Sequence, residues 1–171
     1  MLLTIEAVSI RPFMNEDAVP MALLANNIHI WNNLRDRFPH PYMQKDAIDF
    51  ITMAQKEKPP QNFAITYHQE LAGVIGLMPQ YDVYHRSAEV GYWLGEPFWY
   101  KGIAAKALTI ITQYAFEQLQ LARIYAGVFQ YNTASMRVLE KGGFQLEGVL
   151  KKAVCKNNRL WDEYRYGKTI S

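Results

Sequence analysis

SAEVGYWLGEPFWYKGIAAKALTIITQYAFEQL, residues 87–119, sets an apolar strand, a turn and a long amphipathic helix in immediate succession. Ala88, Val90, Tyr92 and Leu94 alternate with Glu89, Gly91 and Trp93. Ser87 to Leu94 therefore reads as a strand, and bulky residues on both sides point to burial of both faces. Gly95-Glu96-Pro97 breaks it. From Gly102 onward Ala104, Ala107, Leu108, Ile111 and Ala115 recur at spacings of three and four, which marks one apolar face of a helix ending near Leu119. Between strand and helix lies Trp99-Tyr100-Lys101-Gly102-Ile103-Ala104. A helix start leaves N–H groups without internal partners and carries a partial positive charge, so it suits a phosphate. Gly102 and Ala104 keep that approach clear of side chains and Lys101 adds charge. Gly102 equally serves a tight turn, and both readings stand.

With 171 residues the chain suits one domain over 1–171 and is long enough to bury a sizeable core. Hydrophobic residues make up 50% and charged residues 20%, the balance of a folded chain rather than a disordered one. A net charge of +2 with scattered Lys and Arg gives no footprint for direct nucleic-acid contact. Cys155 is the only cysteine, which rules out an internal disulfide and is compatible with a reducing, cytoplasmic setting. Met1-Leu2-Leu3-Thr4-Ile5-Glu6 lacks the basic segment and apolar run of a secretory signal. No apolar stretch approaches the ~20 residues that span a bilayer, so no membrane partner is expected. His29, His40, His68 and His85 show no ligand spacing with one another or with Cys155, so no metal is expected.

In chain order, Leu3 to Arg11 reads as a first strand closed by Pro12. Asp17 is a candidate N-cap for a helix over Ala18 to Ala25, with Val19, Ala22 and Leu23 inward. Ile28 to Tyr42 mixes aromatics with Pro39 and Pro41 and reads as a short helix plus irregular loop. A helix from Asp46 through Lys58, with Ile48, Ile51 and Ala54 or Gln55 on one face, is stopped by Pro59-Pro60. Asn62 to Tyr67 and Leu71 to Met78 form a hairpin about His68-Gln69-Glu70. After the long helix come a strand over Arg123 to Phe129, an N-cap at Asn132, a helix over Thr133 to Lys141 and the stop Gly142-Gly143. Phe144 to Val149, extending toward Val154, pairs with Leu160 to Lys168 about Asn157-Asn158. These elements predict an α/β (α+β) mixed sheet with helices against its faces.

Two separated motifs coincide: Trp99 to Ala104 opening the long helix, and Asn132-Thr133-Ala134-Ser135 leading to Lys141-Gly142-Gly143-Phe144. Together they resemble the GNAT superfamily of acetyl-CoA-dependent N-acetyltransferases. More narrowly, Ala88-Glu89-Val90-Gly91-Tyr92-Trp93-Leu94 and the N-x-x-S pattern resemble the Rim-type branch, the ribosomal-protein N-terminal alanine acetyltransferases and their relatives. The likeness runs from Ile10-Arg11-Pro12 to Trp161-Asp162-Glu163.

The resemblance implies a GNAT-like acyl-CoA N-acyltransferase fold, with a central splayed, mostly antiparallel sheet flanked by helices. It implies acetyl-CoA as cosubstrate, its pantetheine arm between the strands Glu89 to Leu94 and Arg123 to Phe129, bonded by the main chain of Trp93 and Leu94. The pyrophosphate would meet the N–H groups of Tyr100, Lys101, Gly102, Ile103 and Ala104, with Lys101 or Lys106 adding charge. Trp99 stands where the superfamily pattern has Gln or Arg. Because the cradle is mainly backbone, that departure touches the motif more than the mechanism. Glu89 is the implied base, directly or through water. The superfamily's tyrosine acid would fall at Leu139, so proton donation to the departing thiolate passes by the branch pattern to Ser135. Asn132 is implied to cap its helix and to contact cofactor. The implied acceptor is a primary amine, among them a protein N-terminal α-amine. A polyamine, amino acid or aminoglycoside acceptor, or a non-catalytic acetyl-CoA-binding module, are the alternatives. A monomer or homodimer is expected, since strand edges near the C-terminus can pair.

Overall fold

The computed structural model describes residues 3–171; Met1 and Leu2, part of the N-terminal reading above, lie outside them. Among the described residues eight strands form one sheet. They are β1 (Leu3–Ile5), β2 (Val8–Arg11), β3 (Asn62–Tyr67), β4 (Glu70–Pro79), β5 (Ser87–Leu94), β6 (Arg123–Phe129), β7 (Gln145–Lys156) and β8 (Arg159–Thr169), in the order β1-β2-β3-β4-β5-β6-β8-β7. Antiparallel pairing joins β1 through β4 and joins β6, β8 and β7, whereas β5 pairs with β6 in parallel. The helices are α1 (Ala18–Ala25), α2 (Ile28–Trp31), α3 (Gln44–Ala54), α4 (Ile103–Glu117) and α5 (Thr133–Lys141). This is the mixed sheet with helices that the elements predict, mostly antiparallel as the resemblance implies.

The chain packs into two compact units: the chain up to Gly76 with Tyr92–Ile111, and Leu77–Gly91 with Thr112–Ser171. In the first, Met21, Ala25, Ala47, Ile51 and Ala54 of α1 and α3 close over Ala64, Leu71 and Val74 of the sheet, with Phe13 and Tyr42 completing the cluster. In the second, Ile124, Ala126 and Val128 of β6 are buried along with Leu139, Phe144 and Tyr166. The β3–β4 and β7–β8 hairpins each turn on two residues of positive φ. These are His68-Gln69 (49° and 70°) and Asn157-Asn158 (52° and 58°), a twist that matches the flanking strands.

Four expectations are corrected. Leu3 to Arg11 is two strands, with Leu3 opposite Ile10 and a turn through Glu6 at φ 53°. The apolar phase shifts from odd positions (Leu3, Ile5) to even ones (Val8, Ile10), which one strand with one buried face does not allow. Val19 and Leu23 face outward, 51% and 76% exposed, while Ala18, Met21, Ala22 and Ala25 face in. Helix α1 is apolar all round, so the pattern sets no phase and its alanines make the close approach. Asp17 stands at the N-cap position of α1, but with helical backbone and without a side-chain capping bond to that helix. Its carboxylate accepts from both terminal nitrogens of Arg11, at 2.7 and 2.8 Å, and from the Met14 N–H at 2.8 Å. Helix α3 runs Gln44–Ala54 rather than from Asp46 to Lys58. The Asp46 carboxylate caps it from within by accepting from the Met43 N–H at 2.8 Å, and Ile48 is exposed.

Candidate functional site

In the first unit the end of β5 and the turn into α4 form a backbone cradle. The β4 and β5 backbones lie close enough that a Cβ at Gly73 would stand 2.1 Å from the Trp93 carbonyl oxygen. The Gly95 N–H donates to the Ala72 carbonyl at 2.8 Å. The Trp99 indole N–H donates to the Leu94 carbonyl at 2.8 Å, which ties the turn back onto the strand end and explains a tryptophan where the motif has Gln or Arg. Tyr100, 96% exposed, sits at φ 61° and Gly102 at φ 72°. Holding a tyrosine there costs on the order of 1 kcal/mol.

No atom lies within 4 Å of a Cβ built on Gly102, so glycine is required there by its backbone angle and not by crowding. Helix α4 then starts at the buried Ile103, and the Lys106 N–H donates to the Gly102 carbonyl at 3.3 Å. The N–H groups ahead of that bond have no partner within the helix and, with left-handed residues before them, make a concavity suited to an anion. Lys101 Nζ lies 5.9 Å from the ring centroids of both Tyr67 and Phe98, and Lys106 is ion-paired with Glu6. Trp93 packs edge-on against Phe38 at 6.1 Å, and Phe38 lies 4.9 Å from Tyr42.

In the second unit β5 and β6 pair only briefly. Their parallel ladder holds Ser87↔Arg123, Ala88↔Ile124 and Glu89↔Tyr125, although β5 continues to Leu94 and β6 to Phe129. On its other side β6 stays paired with β8 along its whole length, from Arg123↔Thr169 to Phe129↔Glu163. Glu89, half-buried, therefore stands at the last rung, opposite Tyr125.

The cluster around Tyr125 is absent from the sequence reading. Two guanidiniums lie near the Tyr125 ring, Arg123 at 5.6 Å and Arg165 at 5.3 Å from its centroid. Arg165 donates to the Glu163 carboxylate at 2.7 Å, and that carboxylate covers Gly127, where a Cβ would meet it at 2.5 Å. Arg123 forks onto both oxygens of Glu147, a pairing that holds the Glu147 carboxyl below the usual range. The only trace in the sequence is the alternation of Arg123, Tyr125 and Gly127 with the apolar Ile124, Ala126 and Val128.

Asn132 caps α5 as expected, its side-chain oxygen accepting from the Ser135 N–H at 3.2 Å. Ser135 lies in the first turn of that helix, half-buried. Leu139 is fully buried, so the position expected for a tyrosine acid belongs to the core. Asp162 accepts from the Lys152 N–H at 2.9 Å and from Lys151 Nζ at 2.9 Å, and so fills the bulge in β7. Trp93, Leu94 and Tyr100 to Ala104 thus gather in the first unit, and Glu89, Asn132 and Ser135 in the second. Among the described residues no group of three or more His, Cys, Asp or Glu side chains is placed to hold a metal ion, and no helix is long and apolar enough to cross a membrane.

The probable N-acetyltransferase YjcK of Bacillus subtilis is 44% identical over 80 residues, covering 47% of this chain and 44% of that protein. The ribosomal-protein-serine acetyltransferase of Escherichia coli is 32% identical over 108 residues, 63% of this chain and 60% of that one. The spermidine N(1)-acetyltransferase of Escherichia coli is 28% identical over 145 residues, 84% and 76% of the two chains. The chain spans about half the length of several curated relatives, 44% to 55%. Among solved structures, a GNAT-family acetyltransferase from Bacillus anthracis superposes with a TM-score of 0.85 at 26% identity, covering 99% of this chain and 98% of that one. Mycobacterium smegmatis RimJ in complex with CoA-disulfide does so at 0.84 and 25% identity, covering 99% and 86%. These matches support the Rim-type resemblance. The acetyltransferase (GNAT) domain model matches residues 8–145, the larger part of the chain, and the chain belongs to that family.

Proposed function

We propose that this chain is an N-acetyltransferase that moves an acetyl group from acetyl-CoA to a primary amine, with a protein N-terminal α-amine as the acceptor. The observation that carries the reading is the ladder that stops at Glu89↔Tyr125 while both strands run on. Main-chain groups past that rung are released from β5–β6 pairing and suit a pantetheine arm. The Leu94 carbonyl, after accepting the Trp99 indole, keeps a second lone pair for that arm. The left-handed turn at Tyr100 and Gly102 supports a pyrophosphate on the amides up to Ala104.

Glu89, directly or through one water, takes a proton from the acceptor ammonium. The freed amine attacks the thioester carbonyl, forming the C–N bond and a tetrahedral oxyanion. Collapse breaks the C–S bond and leaves the electron pair on sulfur, and the extra proton that the nitrogen still carries passes through the Ser135 hydroxyl to that thiolate, so that the amide is neutral and the serine ends as it began. Asn132 holds the first turn of α5, which carries Ser135, and adds a cofactor contact.

Relatives that act on a ribosomal protein and on spermidine keep both acceptor classes in view. The peptide amine is favoured because two carboxylates of this face, Glu147 and Glu163, are each engaged by an arginine. A polyamine needs carboxylates with charge to spare.

Calorimetric titration with acetyl-CoA should give heat that CoA competes away, and no heat would defeat the cofactor assignment. Peptides of different first residue, spermidine, amino acids and aminoglycosides are then compared by CoA release. Release with peptides is expected; release with spermidine alone would transfer the acceptor to the polyamine class, and binding without any release would make the chain a non-catalytic module. Glu89→Gln should lose roughly 10²–10⁴ in kcat with acetyl-CoA affinity retained. Turnover near that of the unaltered chain at every pH would remove Glu89 from the mechanism.

A further inference from the structure

Gly91 lies in the interior of β5 without either usual reason for a glycine. Its φ is not positive, in contrast to Gly102 and Gly143. A Cβ built on it meets nothing within 4 Å, in contrast to Gly127 and Gly167, whose missing Cβ atoms make room for the carboxylates of Glu163 and Glu147. A glycine inside a strand weakens it and often marks a bulge, a bend or a place where something else comes close to the backbone; Gly148, equally open, sits at a register shift of β7, whereas Gly91 lies where the β5–β6 pairing has ended. The place is specific. Gly91 is exposed and lies two residues after Glu89, on the same side of the strand, just past the last β5–β6 pair at Glu89↔Tyr125.

We infer that the bare backbone at Gly91 is the slot over which the carbon bearing the acceptor amine passes to reach Glu89, so that Gly91 sets the acceptor's permitted size. The inference rests on the acetyltransferase reading above and deepens it, naming the substrate portion that this stretch of β5 receives. An acceptor α-amine brings a carbon that also carries a side chain and a carbonyl, and that branched carbon needs the width a methyl group would take. A methyl at position 91 therefore hinders acceptors in proportion to branching at the amine-bearing carbon.

The test compares Gly91→Ala and Gly91→Val with the unaltered chain, by thermal melting, acetyl-CoA calorimetry and steady-state CoA release. The acceptors are short peptides beginning with Gly, Ala or Ser, with spermidine alongside. Expected for Gly91→Ala are a Tm equal to or above that of the unaltered chain and an acetyl-CoA Kd within about twofold. Its KM for alanyl and seryl peptides should rise about tenfold or more, with a smaller rise for glycyl peptides and spermidine. Gly91→Val should extend the same order.

Unchanged KM values in an active protein overturn the slot alone. A lower Tm for Gly91→Ala overturns it by making the glycine structural, and a parallel loss of acetyl-CoA affinity overturns it by giving the space to the cofactor. An unaltered chain that neither binds acetyl-CoA nor releases CoA overturns the acetyltransferase reading and the slot with it, a result distinct from active protein with indifferent variants.

Discussion

Tyr42 shows how a side chain far from any motif acquires its properties. It is buried beside Phe38, and its hydroxyl donates to Met21 Sδ at 3.7 Å. Burial, with Asp46 adding to it, pushes the phenol up to about 12. In the unfolded chain a tyrosine ionises near 10. Between about 10 and 12 the unfolded form therefore sheds a proton that the folded form retains. The stability this contributes is whole below about pH 10 and declines as pH rises toward 12. Denaturant midpoints should fall across that interval, and Tyr42→Phe should flatten the fall; an identical slope in the variant would show that Tyr42 does not drive it. Individual residues were legible in the sequence where their partners are near in the chain. Asn132 was readable as a cap because it serves Ser135, three residues on. Asp17 was misread because it answers Arg11, brought to it by the turn at the end of β2.

The turn into α4 was readable as a helix start, since Gly102 and the spaced apolar residues behind it are local signals. Its tie to β5 was not, because an indole donating to the Leu94 carbonyl is a fact of three dimensions. Gly102→Ala would force a methyl-bearing residue to φ 72°, at a cost of about 1 kcal/mol. It should lower Tm and also weaken acetyl-CoA by turning the amides off their target. A loss of Tm with unaltered Kd would restrict Gly102 to the turn. Asn132→Ala should cost about 1 kcal/mol in a denaturant titration, with any further loss of acetyl-CoA affinity reporting its second role. The remaining misreadings have physical causes of the same kind. Helix α1 is too uniformly apolar to show its inner face, and the break between β1 and β2 shows only as a slip in alternation.

Across the full chain, we propose that the two compact units unfold as one domain over 1–171, since β5 and α4 each run from one unit into the other. Scanning calorimetry should give a single transition with matching calorimetric and van't Hoff enthalpies, whereas two resolved transitions would separate the units. The order of strands and helices, the helix that opens on Gly102, the cap at Asn132 and the two hairpin turns all follow from the linear order of residues. Each depends on side-chain periodicity or on partners only a few positions apart. The early end of the β5–β6 ladder, the Trp99 tie, the Arg123–Tyr125–Arg165 cluster with its two glutamates, and the open space at Gly91 emerged only on folding. The ladder's end and the Tyr125 cluster depend on neighbours tens of residues away, whose meeting is set by sheet order and register, while the Trp99 tie spans only five residues and depends on where the turn carries the indole.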